Sequence, residues 1–292
     1  MLTLRRAAAM MALLSCVLAM PASAAGPLSV IYPRSSSSAD QRSDYYITLL
    51  DLALSKSGTP YQLRPHDTPM VELRVLQKLS TNDGINVTWM PTSRAYEQQL
   101  LPIRIPLDKG LLGWRIFLIR QRDRAQFAAI QTLQQLQACS AGQVSEWIDT
   151  GILRANGLKV IDAPLYDGLF PMLNAGRFQY FPRGIAEIWG ELNSHAGLGL
   201  KVEPHLALHY PAYTYFFVAK NNPELARLIE RGLRAAIADG SFDRLFERYN
   251  GDLIKRARLS SRLVFELKNP YAPESAPALP DLSDGAAAAH RP

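Results

Sequence analysis

Arg94 is the side chain with the plainest chemical opportunity in this sequence. It ends the run Asn86-Val87-Thr88-Trp89-Met90-Pro91-Thr92-Ser93-Arg94, in which a short apolar strand gives way to a polar turn. A guanidinium just past a strand end, where an open α/β sheet exposes its loops, offers a rigid fork of donors suited to a carboxylate or similar anion. Capping or pairing within its own turn is the structural alternative. A second candidate is Gly142-Gln143-Val144-Ser145, which precedes a predicted helix whose free N–H groups could bind an anion; simple capping by Ser145 is the alternative there. Catalysis has less support, because no G-x-S-x-G, H-E-x-x-H or phosphate-loop pattern occurs. His205 and His209 lie four apart, a spacing that suits a metal on a helix, but the segment runs into Tyr210-Pro211 and no third ligand is evident. Asp149 is a lone carboxylate and Cys139 lacks a visible activating partner. The expectation is a non-enzyme with no catalytic residue, metal or cofactor.

The N-terminus reads as an export signal. Arg5 and Arg6 precede an apolar run from Ala7 to Met20, and Pro21-Ala22-Ser23-Ala24-Ala25 supplies small residues for cleavage. Two rival readings exist: Leu13-Leu14-Ser15-Cys16 loosely resembles a lipoprotein site, and the arginine pair lacks the rest of a twin-arginine signal. No later apolar stretch approaches the roughly 18 to 20 residues of a spanning helix. Removing residues 1–25 lowers the net charge from +6 to +4 and leaves Cys139 as the sole cysteine, so no intrachain disulfide is expected. The basic residues are scattered, with no basic aromatic groove, which argues against nucleic acid as a partner.

The elements that must position these residues alternate. Strands are expected at 28–32, 61–64 and 85–90, with helices over 43–56 and 71–79 between them. After Gly110 and Gly113 the run 114–119 reads as a buried strand. It is followed by a helix stripe on Phe127, Ile130, Leu133 and Leu136, a helix over 146–155, a strand at 158–161, a short helix at 169–174, a strand at 178–181 and a helix at 185–193. A second long apolar strand covers 213–219. Asn222 and Pro223 then open a helix bearing Leu225, Ile229, Leu233 and Ile237, ended by Gly240, and a further helix spans 242–249. From Asn269 the composition is Pro- and Ala-rich and aperiodic, as in a disordered tail. The density of alternation predicts a parallel α/β sheet. The middle block is complete as its own α/β unit, so the economical arrangement is an inserted lobe, with the strands at 114–120 and 213–219 crossing between lobes as a hinge.

In this order the elements resemble the type 2 periplasmic solute-binding proteins, especially the group that binds polar amino acids. Thr88 through Arg94 is similar to that group's strand end, serine or threonine turn and carboxylate-binding arginine; Gly176-Arg177-Phe178-Gln179-Tyr180 resembles its "G-R-x-D-A" strand, and Asp239-Gly240-Ser241-Phe242 its near-terminal "D-G-x". A narrower resemblance, to bacterial transporter substrate-binding domain proteins, lies in residues 110–115, 147–157 and 176–187. Together the resemblance covers about 28 to 265. It implies a two-lobed α/β clamshell of the type II periplasmic-binding-protein kind with two hinge strands: a signal peptide at 1–25, lobe 1 from 26–118 plus 214–268, an inserted lobe 2 at 119–213 and a tail at 269–292.

The departures from that pattern shape the ligand expectation. Phe181-Pro182-Arg183-Gly184 stands where such binders place an acid for the ligand ammonium, Gln179 stands in place of Asp, and Trp89 replaces a small polar residue. Arg94 and Arg183 from opposite lobes would suit an anionic ligand, with Trp89 and Trp147 as stacking surfaces; Glu187 could restore an ammonium partner or pair with Arg183 at i,i+4. The ligand set implied is Arg94, Trp89, Thr92, Ser93, Tyr32, Gly142, Ser145, Trp147, Tyr166, Arg183 and Glu187, with plain packing as the favoured alternative for Trp89 and Trp147 and a core role as the alternative for Tyr32 and Tyr166. The expected protein is a periplasmic, monomeric binder of a small polar, anionic solute, amino acid-like or an organic acid. It would serve an ABC-type importer or an inner-membrane receptor. The alternatives are a sensor partner unconnected with transport and, less favoured, an enzyme on the same scaffold.

Overall fold

The computed structural model describes residues 26–34, 43–273 and 282; the expected export segment with Cys16, the serine run after Arg34 and most of the Pro/Ala-rich tail lie outside the described residues. The chain begins β1 (Leu28–Arg34), α1 (Asp44–Ser55), β2 (Tyr61–Pro69), α2 (Glu72–Thr81), β3 (Val87–Pro91), α3 (Arg94–Gln99) and β4 (Leu100–Ile103). Next come β5 (Trp114–Arg120), α4 (Arg124–Ala128), α5 (Leu133–Gln137), β6 (Ser140–Val144), α6 (Ile148–Ala155), β7 (Lys159–Ala163), α7 (Tyr166–Asn174), β8 (Tyr180–Gly184) and α8 (Ile188–Ser194). It closes with β9 (Leu200–Val202), β10 (Leu206–His209), β11 (Thr214–Ala219), α9 (Pro223–Ala238), α10 (Ser241–Ala257) and β12 (Leu263–Glu266).

These elements form two halves. In the first, β1 and β2 pair in parallel, while β11 lies antiparallel between β3 and β4. Asn86 joins the two groups: its backbone N–H donates to Ile31 (2.9 Å) and its Oδ1 accepts from the Ile31 N–H (2.8 Å), so a side chain stands in for a ladder bond. In the second, the strand order is β12-β10-β5-β8-β6-β7, with β9 also on β5. The two long apolar runs are the central strands. Every residue of β5 but its last is buried, and side chains alternate between two cores, Ile116 and Leu118 on one face, Phe117 and Ile119 on the other. Strand β11 does the same, with Phe216 and Val218 on one face and Tyr215 and Phe217 on the other.

The expected hinge is corrected. Strand β5 pairs only within the second sheet and β11 only within the first, so neither bridges the halves, because each is surrounded by partners on both edges. The passages between halves are residues 104–113 and 210–213, which run side by side: Leu107 N–H donates to Thr214 O (3.0 Å), Tyr210 N–H to Gly113 O (3.2 Å), and the Thr214 hydroxyl to Asp108 Oδ2 (2.9 Å). Gly113 permits this approach, since a Cβ there would stand 2.1 Å from the Tyr210 carbonyl oxygen. A third passage was not expected. After α10 the chain returns to the second half, where β12 pairs in parallel with β10, and Arg262 Nη1 donates to the carbonyls of Glu203 (2.6 Å) and Leu206 (2.9 Å). Residues 114–118 and 263–268 thus belong with the second sheet, not with the first lobe as expected.

The helix expected on Phe127–Leu136 is two short ones. Thr132 accepts from the Gln135 N–H (3.2 Å) in a full capping box and restarts the helix. Asn222 caps α9 as expected, accepting from Leu225 N–H (3.3 Å) with Pro223 at the first position. Among the described residues no helix is long and apolar enough to cross a membrane.

Candidate functional site

Between the halves lies a groove of about 660 Å³. Ser93, Arg94 and Ala95 form one bank, Ser145 through Ile148 with Thr150, Gly151 and Arg154 the other, and Pro270 and Tyr271 close one end. Four residues singled out in the sequence, Ser93, Arg94, Ser145 and Trp147, therefore meet across the groove. Each is placed by a helix start. Ser93 is the N-cap of α3 and accepts from Tyr96 N–H (3.2 Å), which leaves Arg94 as the first helical residue, exposed on the bank. Trp147 is the N-cap residue of α6 and has no side-chain cap bond, so the first α6 N–H groups are uncapped by it. Ser145 does not cap α6; its hydroxyl bonds to Asp162 and, as the largest cause, holds that carboxyl below its ordinary range.

On the first half Tyr32, Tyr46 and Trp89 form an aromatic cluster, and none of the three lines the groove. Trp89 stacks on Tyr46 (5.8 Å, 17°) and meets Tyr32 at 6.0 Å. On the second half Trp147 carries the Arg183 guanidinium over its ring at 4.6 Å, with Phe181 parallel on one side and Tyr166 tilted on the other. Arg183 is buried and paired through two of its nitrogens: its Nε donates to both Glu191 oxygens (2.9 Å each), its Nη2 to Glu191 Oε1 (2.5 Å), and Glu187 lies 3.1 Å away. Tyr166 donates to the same Glu191 (2.7 Å).

Three expectations change. Arg183 does not offer a free guanidinium to a ligand, because Glu191, which the sequence did not single out, neutralises it from within its own half. Gly142 lies in the interior of β6, where a Cβ would stand 2.2 Å from the Phe178 ring; it serves packing and is remote from the groove. Thr92 is buried and turned inward, its hydroxyl donating to Glu97 (2.8 Å), which also pairs with Arg104. His209 sits on β10, a strand, and bonds Glu266 (2.7 Å), while His205 precedes that strand and meets Gln131. Among the described residues no three His, Cys, Asp or Glu side chains converge as metal ligands do.

A polar cluster behind the groove escaped the sequence reading. Arg115, 6 % exposed, donates through Nε to Asp149 Oδ1 and the Tyr210 hydroxyl (2.8 Å each) and through Nη2 to Asp149 (2.7 Å). Burial pushes the Asp149 carboxyl up, but the Arg115 charge and the Tyr210 hydrogen bond hold it below its ordinary range. The signal was present: a charged residue inside the apolar run Trp114-Arg115-Ile116-Phe117 needs a buried partner.

Asp108, on the first passage, is buried and its carboxyl is pushed up to about 6 by that burial, against hydrogen bonds from Thr214 and the Gly110 N–H. The folded chain therefore holds a proton that the unfolded chain, with the ordinary value of 3.8, releases first. Stability from this group is complete below that value and is lost as pH rises through 6. Asp108→Asn is expected to exceed the wild type by up to about 3 kcal/mol near neutral pH and to lose its advantage around pH 4, as read from urea midpoints at the two pH values.

Two α/β halves, the first centred on β11 from later in the chain and the second edged by β12 after the chain's return, are joined by paired passages with a groove between them. Solved structures share this arrangement. The periplasmic VFT2 domain of BvgS from Bordetella pertussis aligns at TM-score 0.56 and 16% identity over 76% of this chain and 92% of that one. The fold is that of the type II periplasmic binding proteins. An ancestral arginine-binding protein bound to arginine matches at TM-score 0.52 and 16% identity, covering 77% of this chain and 98% of that chain. A histidine kinase sensor domain with similarity to periplasmic binding proteins matches at 0.51 and 14%, covering 77% and 96%. No family model matches the sequence, and no curated protein matches it. The type II periplasmic-binding fold is thus shared at low identity with proteins whose names point both to solute capture and to sensing.

Proposed function

We propose that this chain is an exported solute-binding protein that holds a small, polar, anion-bearing molecule in the groove between its halves. The observation that carries this reading is the meeting of Ser93 and Arg94 from one half with Ser145 and Trp147 from the other around a single open volume. Arg94 supplies the charge for a ligand carboxylate, the start of α6 supplies N–H donors, and Trp147, held flat by Arg183 beneath it, supplies a face for the ligand body. A ligand that touches both banks favours the halves drawn together, and that shape is what an importer or an envelope receptor would recognise. Arg183 acts through Trp147 instead of on the ligand. Glu146, exposed on the second bank, is placed to receive an ammonium if the ligand carries one.

The test is calorimetric titration of the purified protein with L-arginine, L-glutamine, L-glutamate and succinate. At least one is expected to bind, and Arg94→Ala is expected to weaken it about 30- to 100-fold, the loss of a charge-assisted hydrogen bond pair. Binding that survives Arg94→Ala unchanged, or turnover of the bound molecule, would overturn the reading. Neighbouring genes for a permease and an ATPase favour delivery to an importer, and a receptor gene favours signalling.

A further inference from the structure

Past Pro273 the chain has one further described residue, Leu282, and it is 4 % exposed and belongs to the largest hydrophobic core. It forms one wall of a groove of about 310 Å³. The other walls are Ile254, Lys255 and Arg258 at the end of α10 and Leu259, Ser260 and Ser261 on the third passage. Ile254 and Leu259 are themselves buried, so an aliphatic side chain laid beside them removes apolar surface from water. The main chain there needs support. Arg258 holds a φ of 51°, a left-handed conformation that a residue with a side chain adopts at a cost. The turn after it rests on two backbone bonds, Ser261 N–H to Arg258 O (3.1 Å) and Arg262 N–H to Leu259 O (3.0 Å).

Charge and chain length decide what occupies the groove. In the sequence Leu282 lies between Asp281 and Asp284. The rim of the groove is basic: Lys255 has Glu247 at 3.3 Å, whereas Arg258 is exposed and, among the described residues, in no ion pair. Carboxylates on both sides of a leucine complement that rim. The start of the tail is fixed, because Asn269 donates to the Pro211 carbonyl (2.8 Å) and accepts at its own carbonyl from the Ala272 N–H (3.3 Å). Nine residues then separate Ala272 from Leu282. A tether this short gives its far end a local concentration in the millimolar range, enough to hold a contact too weak to form between separate molecules. We propose that the groove at the end of α10 is a docking site for this chain's own acidic, leucine-bearing segment at 281–284, and that Leu282 seated there clamps the third passage.

Amide hydrogen exchange at residues 258–262 of the full chain, read by NMR, is the test, with thermal midpoints checking that each variant folds. Leu282→Ser is expected to speed exchange of the Ser261 and Arg262 amides about tenfold or more, and Leu282→Met to leave it within about twofold of wild type. Arg258→Glu is expected to match Leu282→Ser, and adding Asp281→Lys and Asp284→Lys to it is expected to restore protection. A capped peptide of residues 279–286, added at about 5 mM to Leu282→Ser, is expected to slow the exchange again and to leave wild type unchanged. Exchange in Leu282→Ser equal to that of wild type overturns the docking. Failure of the charge reversal to restore protection overturns the part given to Asp281 and Asp284. A wild type that sediments as a dimer beside a monomeric Leu282→Ser assigns the leucine to a second copy and overturns the occupant. If Leu282→Ser does not fold, Arg258→Glu and its reversal carry the test.

Discussion

Replacing Arg183 with methionine is expected to cost about 3–5 kcal/mol of folding stability, the largest effect of any single polar substitution here. Arg183 is 6 % exposed and holds Glu191 through three short hydrogen bonds, with Glu187 alongside. Methionine fills comparable volume but leaves Glu191, itself scarcely exposed, without its counter-charge in a wall of Trp147, Tyr166 and Phe181. The double variant with Glu191→Leu as well is expected to recover most of the loss, because it removes both charges together. Urea denaturation of the two variants checks this; equal stabilities would show that the guanidinium's contacts with the rings, not its charge pairing, hold the cluster. The same substitution frees Trp147 from its backing, so groove affinity should fall even though Arg183 does not touch the groove.

Gly232→Val is expected to cost about 3 kcal/mol or more, although it fills a position in the middle of helix α9. Helix propensity alone favours almost any residue over glycine there, by up to about 1 kcal/mol. Packing reverses the sign. A Cβ at position 232 would stand 1.8 Å from the carbonyl oxygen of Ala53 in α1, backbone that cannot swing aside. The two helices must separate along the contact that also buries Leu49, Ile229 and Leu233. A thermal midpoint lowered by less than that of Gly190→Val, where a Cβ meets nothing within 4 Å, would refute this account.

Much of this was legible from the residue order. The apolar runs at Trp114–Arg120 and Thr214–Ala219 read as buried strands because no polar position interrupts their faces except Arg115, Thr214 and the terminal Arg120. Helix α9 was plain from Asn222, Pro223 and its four-residue stripe. What the sequence hid are contacts made at a distance. Strand β12 looks like any short apolar stretch until β10 is beside it, and α3 is only six residues long, too short for periodicity to show. At the site, Arg94 and Trp147 could be placed by their strand ends and helix starts. Glu191 could not be assigned to Arg183, nor Asp149 to Arg115, because those pairings cross from helix to strand.

The chain's third passage has a mechanical meaning. Two adjacent tethers let a pair of bodies both swing and twist; a third, offset from them by the width of strand β10, resists the twist. On the proposed reading, in which the halves move to admit a ligand, widening of the groove would be steered toward rotation about one line. Tyr271, seated against Gly151 on α6, would then travel with the second half and keep the groove's end wall on that bank.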